Sequence, residues 1–160
     1  MTKAEYEDIY RLLDSVNPVP FDCGRICGAA CCDIEGEDLG IYLFPGEEEV
    51  RGLDSWRNAE EDQGSYFVDC PGPEHCDRSL RPIQCRLFPF VPVIRENGEP
   101  ILEIGSDELP YVCPLVEDKA QLDPKYIRVC TEVWDRLAKD PEIYEFVRNL
   151  TQYDEAEEQG

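Results

Sequence analysis

Apolar residues recur at helical spacing near the start of the chain. The stripe consists of Tyr6, Ile9, Leu13 and Val16. Thr2 followed by Glu5 is the pattern of a capping box, in which each of the two side chains bonds a backbone amide at the helix N-terminus. These features predict a helix over residues 3–15, which the prolines that follow it would end.

Two further helical stripes occupy the C-terminal part of the chain. They follow Asp123-Pro124 and Asp140-Pro141, pairs in which Asp is a favoured N-cap and Pro suits the first turn. Their apolar positions are Ile127, Cys130, Trp134 and Leu137, and then Ile143, Tyr144, Val147 and Leu150. We therefore expect helices within residues 123–150, and an acidic, frayed tail at residues 153–160.

The middle of the chain predicts short strands. Residues 39–44 (LGIYLF) and 66–68 have the composition of extended segments, and the three glutamates of EEEVRGL suit the positive end of a short helix. Asn97-Gly98, between VPVIRE and EPILEI, predicts a β-hairpin. The whole pattern predicts an α+β fold: one small, irregular metal-binding domain over residues 1–160, with a β-hairpin and with helices at both ends.

The net charge and the N-terminal residues predict which partners and which compartment suit the chain. The chain has 36 acidic and 15 basic residues, and its net charge of -21 repels phosphate backbones, so we expect neither nucleic acid nor an anionic membrane as a partner. The acidic surface serves either solubility or docking of a basic protein. The first residues, MTKAEYEDIYRLL, lack the basic and apolar regions of an export signal, which predicts a cytoplasmic protein.

Nine cysteines are the strongest chemical signal in the sequence. Thiols stay reduced in the cytoplasm and there bind metals, whereas a secreted disulfide scaffold would suit a shorter chain with an even number of cysteines. Eight of them fall into a crowded run and a looser set, which are Cys23, Cys27, Cys31 and Cys32, and Cys70, Cys76, Cys85 and Cys113. They could hold one shared cluster or two four-cysteine sites.

Three segments resemble a known family. They are DCGRICGAACC, DCPGPEHC and RPIQCRLFPF. The vicinal pair Cys31-Cys32, the later Cys70 and Cys76, and the segment with Arg81, Pro82, Cys85, Arg86 and Pro89 match the motifs of the YkgJ-like cysteine-cluster family of zinc- or iron-chelating domains. The resemblance covers about residues 22–114. It implies that Cys23, Cys27 and Cys113 complete a set of eight ligands.

Arg81 and Arg86 bracket Cys85 and are candidate cofactor-binding residues. Their charge would offset that of bound thiolates, and their N–H groups would donate to sulfur; the alternative is that both pair with surface carboxylates. Zinc and iron–sulfur clusters both accept four cysteines. Cys70-Pro71 and Cys113-Pro114 repeat a step that is common at cluster ligands, which favours an iron–sulfur cluster over Zn²⁺.

Other functional groups give weaker signals. Cys130 lies on an apolar stripe and predicts a buried core residue, and His75 suits either a polar loop or a zinc ligand. The sequence contains no nucleophile-elbow, phosphate-loop or dinucleotide motif, so it shows no sign of catalysis by this chain alone. Three functions remain open: electron transfer or metal handling with a redox or other protein partner, a component of a protein-modifying enzyme like the cysteine-cluster part of flagellin lysine methylases, and a structural zinc module.

Overall fold

The computed structural model describes residues 1–19, 40–71, 75–77, 79, 81–105, 116 and 122–160. Within these ranges there are four α-helices: α1 (Lys3–Asp14), α2 (Ile83–Leu87), α3 (Pro124–Leu137) and α4 (Pro141–Gln159). The strands are β1 (Gly40–Tyr42), β2 (Glu60–Asp62), β3 (Ser65–Asp69), β4 (Phe90–Ile94) and β5 (Pro100–Ile104), with 3₁₀ turns at Glu47–Val50 and Leu53–Ser55. This mixture of helices and small antiparallel sheets confirms the α+β class.

The strands form two antiparallel sheets. One has three strands in the order β1-β3-β2, and the other is the predicted hairpin of β4 and β5. The hairpin loop is closed by Arg95, whose amide donates to the Glu99 carbonyl at 3.0 Å. Gly98 has a φ of 84°, the left-handed conformation that a three-residue hairpin loop requires near its end. The Asn-Gly signal therefore predicted the hairpin correctly.

The helix starts follow the predicted capping chemistry. Thr2 and Glu5 form the capping box of α1, with both reciprocal hydrogen bonds present. Asp123 accepts from an amide at the start of α3, and the Asp140 carboxylate accepts from the amides of Glu142 and Ile143 at the start of α4. Each helix therefore begins where a side-chain oxygen satisfies amides that have no partner within the helix.

The main core is mostly helical. It is formed by the buried faces of α1, α2, α3 and α4 together with Ile94 of β4. Its largest fully buried side chains include Trp134, Tyr6 and Tyr126. A smaller cluster of Leu43, Trp56 and Val68 lies at the three-stranded sheet, and a third cluster joins Val19, Val116 and Leu122. The core is thus built mainly by the four helices, and the two sheets contribute fewer buried side chains to it.

Three parts of the structure differ from the sequence prediction. Helix α2 and strand β2 lie in segments where the sequence patterns predicted neither a helix nor a strand. The tail was expected to fray, but α4 continues to Gln159. Glutamate, alanine and glutamine are all good helix formers, so the charged composition of residues 153–160 did not prevent helix formation.

Candidate metal centre

The structure describes three of the eight predicted cysteine ligands. These are Cys70, Cys76 and Cys85, whereas Cys23, Cys27, Cys31, Cys32 and Cys113 lie outside the described residues. Within the described ranges, no group of three or more His, Cys, Asp or Glu side chains is arranged to hold a metal ion. The local structure around each described cysteine therefore carries the argument.

Cys70 directly follows the end of strand β3. Asp69, the last residue of the strand, pairs with Gly40 of β1, and its side chain accepts a 2.6 Å hydrogen bond from the Asn58 amide group. A Cβ atom on Gly40 would lie 2.6 Å from the carbonyl oxygen of Val68, so only glycine permits this close approach of the strands. Cys70 is thus attached to a well-fixed corner of the sheet.

Cys76 is half-buried and contacts one of the predicted arginines. The Nε of Arg81 donates to the Cys76 sulfur, with 3.4 Å between the two atoms. In metal sites, an N–H group that donates to a ligand sulfur orients that ligand. The sequence placed Arg81 and Arg86 on either side of Cys85, whereas the described sulfur that Arg81 contacts is that of Cys76.

Arg86 makes a different set of contacts. Its Nε donates to the Arg81 carbonyl at 2.8 Å and its Nη2 donates to the Ser79 carbonyl at 3.0 Å. The same guanidinium pairs with Asp14 of α1 and lies over the Tyr10 ring, 4.6 Å from its centre. The Arg86 side chain is only 8% exposed. These contacts fix the backbone on either side of residue 80 against α1, which positions Arg81.

A turn between Cys76 and Arg81 adds to this order. The backbone amide and the hydroxyl of Ser79 both donate to Oδ1 of Asp77, at 2.9 and 2.7 Å. These two hydrogen bonds from Ser79 lower the pKa of Asp77. Asp77 therefore remains ionised at neutral pH and closes a local turn beside Cys76.

Helix α2 carries Cys85 on its outer side. Ile83 and Leu87, one turn apart, are fully buried, whereas Cys85 between them is exposed. The Tyr126 hydroxyl lies 2.7 Å from the Arg86 carbonyl and 2.8 Å from the Phe88 carbonyl, at the C-terminal end of the helix. The apolar face and this polar contact fix the direction in which Cys85 projects.

The other end of α2 is bound by a fully buried carboxylate. Glu47 accepts hydrogen bonds from the Ile83 amide at 2.8 Å, the Phe44 amide at 2.8 Å and the Tyr10 hydroxyl at 2.6 Å. Burial raises the pKa of Glu47, and the three donors oppose that change. No sequence pattern singles out Glu47, because two further glutamates, Glu48 and Glu49, follow it directly.

Arg51 is the second residue that the sequence patterns did not reveal. Its guanidinium carbon lies 5.7 Å from the centre of the Tyr10 ring and 5.8 Å from that of Trp56. Its charge interacts with Asp77 and with Arg86. One signal was available: Arg51 is the only basic residue between Arg25 and Arg57, in a strongly acidic part of the chain.

Cys130 and His75 have contrasting surroundings. Cys130 is fully buried in α3, and burial raises the pKa of its thiol to about 12, while a hydrogen bond with Tyr126 acts in the opposite direction. This matches the expectation of a core residue. His75 is exposed in the turn before Cys76.

Comparisons with known proteins add no relative. No protein-family model, curated protein or solved structure matches this chain. Among the helices in the described ranges, none combines the length and apolar character needed to cross a membrane.

Proposed function

We propose that this chain is a cytoplasmic metal-binding protein that holds an iron–sulfur cluster or zinc through cysteine thiolates and serves electron transfer or metal handling. The observation that carries the proposal is the 3.4 Å hydrogen bond from Arg81 to the Cys76 sulfur. In metal sites, hydrogen bonds to the ligand sulfur orient the ligand and tune its charge. The YkgJ-like motif residues support the same function.

Local positive charge supports a site for several thiolates. Thiolate ligands are anionic, and a chain with a net charge of -21 must supply nearby cations to offset them. Arg81 contacts Cys76, Arg86 binds the carbonyls of Ser79 and Arg81, and Arg51 interacts with Asp77. Three guanidinium groups therefore act on residues close to Cys76. This positive charge supports a thiolate-bound metal at Cys76.

Described residues that are close in sequence to the other predicted ligands also lie near one another. Val19, the described residue before Cys23, packs in one cluster with Val116, the described residue after Cys113. The Asp123 amide also donates to the Pro18 carbonyl at 2.8 Å. Gly40, the first described residue after Cys32, pairs with Asp69, which directly precedes Cys70. This arrangement supports a shared ligand set.

Metal analysis of anaerobically purified protein tests the proposal. The Cys-Pro steps favour a cluster, so we expect a brown protein with stoichiometric iron and inorganic sulfide, bleached reversibly by dithionite. A colourless protein with stoichiometric zinc, whose removal unfolds the chain, would assign a structural zinc site instead. Protein that binds neither metal after reconstitution under reducing conditions would refute the proposal.

A further inference from the structure

An open cleft lies between α1 and two other segments of the chain. Tyr10 of α1 lines it together with Val50, Arg51 and Ser79, and its volume is about 410 Å³. That volume is within the range of small-molecule sites, which is roughly 300–1,000 Å³. Of the predicted cysteine ligands that the structure describes, Cys70, Cys76 and Cys85, none lines the cleft.

Among the described residues, the charged side chains that line the cleft all form ion pairs except Arg51. Glu7 lies 4.0 Å from the ammonium group of Lys3, Arg11 pairs with Asp8 at 2.6 Å, and Asp14 pairs with Arg86. Arg51 also lines the cleft, and within the described part of the chain it forms no ion pair. Asp77 and Asp14 act on its charge, but neither forms an ion pair with it.

The guanidinium group of Arg51 is held in place between two aromatic rings. It stacks near both Tyr10 and Trp56, at 5.7 and 5.8 Å from the ring centres. Burial lowers the pKa of Arg51, and the nearby Arg86 lowers it further, but an arginine stays protonated at neutral pH. Stacking on rings leaves the N–H donors at the edge of the guanidinium plane for an oxyanion.

The Arg51 guanidinium also has an unpaired donor. Its Nη1 is buried and has no hydrogen-bond acceptor among the described residues. Buried donors normally have partners, and an unpaired group is costly, more so when it is charged. An anion beside Arg51 would supply the ion pair that this arginine does not form with any described residue.

We propose that this cleft binds a small molecule carrying a carboxylate or phosphate group, with Arg51 as its ion-pair partner. The anionic group would lie at the edge of the Arg51 guanidinium plane, and the rest of the molecule would lie along Tyr10 and Val50. The proposed contacts involve none of the described cysteine ligands Cys70, Cys76 and Cys85.

Two probe anions, inorganic phosphate and succinate, test the proposal by NMR titration of the purified full chain. Sodium chloride at matched ionic strength is the reference. We expect saturable shifts of the Arg51 Nε–Hε resonance and of the Tyr10 ring with at least one probe. Saturation with phosphate alone or with succinate alone supports the site and identifies its preferred group. Shifts that do not saturate, or that sodium chloride reproduces, refute the site.

A pair of variants locates the binding. Arg51→Gln should weaken the dissociation constant about tenfold or more, whereas Arg11→Gln, which removes a cleft arginine already paired with Asp8, should change it less than about twofold. Equal losses in both variants would overturn the assignment to Arg51. If Arg51→Gln fails to fold, the wild-type Arg51 resonance still decides the question.

Discussion

The hydroxyl of Tyr10 donates a 2.6 Å hydrogen bond to Oε1 of the fully buried Glu47 carboxylate. The same carboxylate accepts from the first amide of α2, the helix that carries Cys85 and Arg86. The Tyr10 ring in turn lies beneath the Arg51 and Arg86 guanidinium groups. Tyr10 therefore joins α1 to both the proposed metal region and the cleft.

Tyr10→Phe tests the polar half of this link, because it keeps the ring and removes only the hydroxyl. It leaves a buried carboxylate with one donor fewer, so we expect a loss of about 1–3 kcal/mol in the free energy of unfolding by urea. The control is Tyr153→Phe on α4, where the side chain is 53% exposed and a change within about 0.5 kcal/mol is expected. Equal stability of Tyr10→Phe and wild type would show that Glu47 does not depend on this donor.

Helix ends and the hairpin could be predicted from sequence because their signals are local. A capping box at Thr2 and a left-handed glycine at Gly98 need only their immediate neighbours. Helix α2 was missed because its N-terminal amide is satisfied by Glu47, which is 36 residues away in sequence. Cooperation between distant residues leaves no periodic pattern.

The candidate site divides in the same way. The Arg-Pro-x-x-Cys-Arg pattern placed two arginines near a cysteine, and Arg81 does contact a sulfur, although that sulfur belongs to Cys76. The contacts of Arg86 with Asp14 and with the Tyr10 ring depend on how α1 packs. Asp14 is 72 residues from Arg86 in sequence, so no local pattern links the two. The sequence therefore identified both arginines as candidate site residues, but it could not show that Arg81 contacts a sulfur while Arg86 pairs with Asp14.

Gly40→Ala tests the junction between β1 and β3. An added Cβ would lie 2.6 Å from the Val68 carbonyl oxygen, a backbone atom that cannot move aside cheaply, so we expect a loss of about 1–3 kcal/mol or more. In Gly105→Ala the nearest atom would be 3.6 Å away, at ordinary contact distance. Urea unfolding should show a large loss for the first variant alone. Similar small changes in both would contradict this strand packing.

Asp140→Asn tests a charge at the start of α4. Burial acts to raise the pKa of Asp140, but hydrogen bonds from the Met1 amino group and from the Ile143 and Glu142 amides hold it below its usual value. A lowered pKa stabilises the fold above the usual Asp range, and that contribution disappears as the pH falls.

Asparagine retains the capping oxygen, so the variant isolates the charge. At pH 7 the free energy of unfolding of the wild type should exceed that of Asp140→Asn by about 0.5–2 kcal/mol. This difference should shrink as the pH falls below about 4. Urea unfolding at several pH values measures it. A difference that stays constant with pH would assign the effect to packing and not to the carboxylate charge.

Arg81→Lys tests the hydrogen bond to Cys76. Lysine keeps the charge but lacks the planar Nε–H that reaches the sulfur, so we expect metal affinity to fall about tenfold while stability of the metal-free chain changes little. Arg128→Lys, on an exposed position of α3, should leave both quantities unchanged. Competition with a chelator gives the affinities. Unchanged affinity in Arg81→Lys would remove the contact from the proposed site.

Cysteine variants separate metal ligands from the core. Cys32→Ser and Cys76→Ser should lose most of the bound metal. Cys130→Ser should keep its metal but lose about 1–3 kcal/mol of stability, because it puts a hydroxyl into the fully buried position on α3. Metal content per chain and urea unfolding, measured on the same samples, distinguish the two effects.

For the division of the cysteines to hold, metal content must fall in Cys32→Ser and Cys76→Ser but not in Cys130→Ser. A ligand removed from an anionic set costs affinity directly, whereas a core thiol with a pKa raised to about 12 contributes through packing. If Cys130→Ser loses as much metal as Cys76→Ser, then either Cys130 ligates or metal binding depends on the intact helical core. A chelator titration of Cys130→Ala, which adds no hydroxyl, separates those outcomes, since only a lost ligand would still lower the affinity.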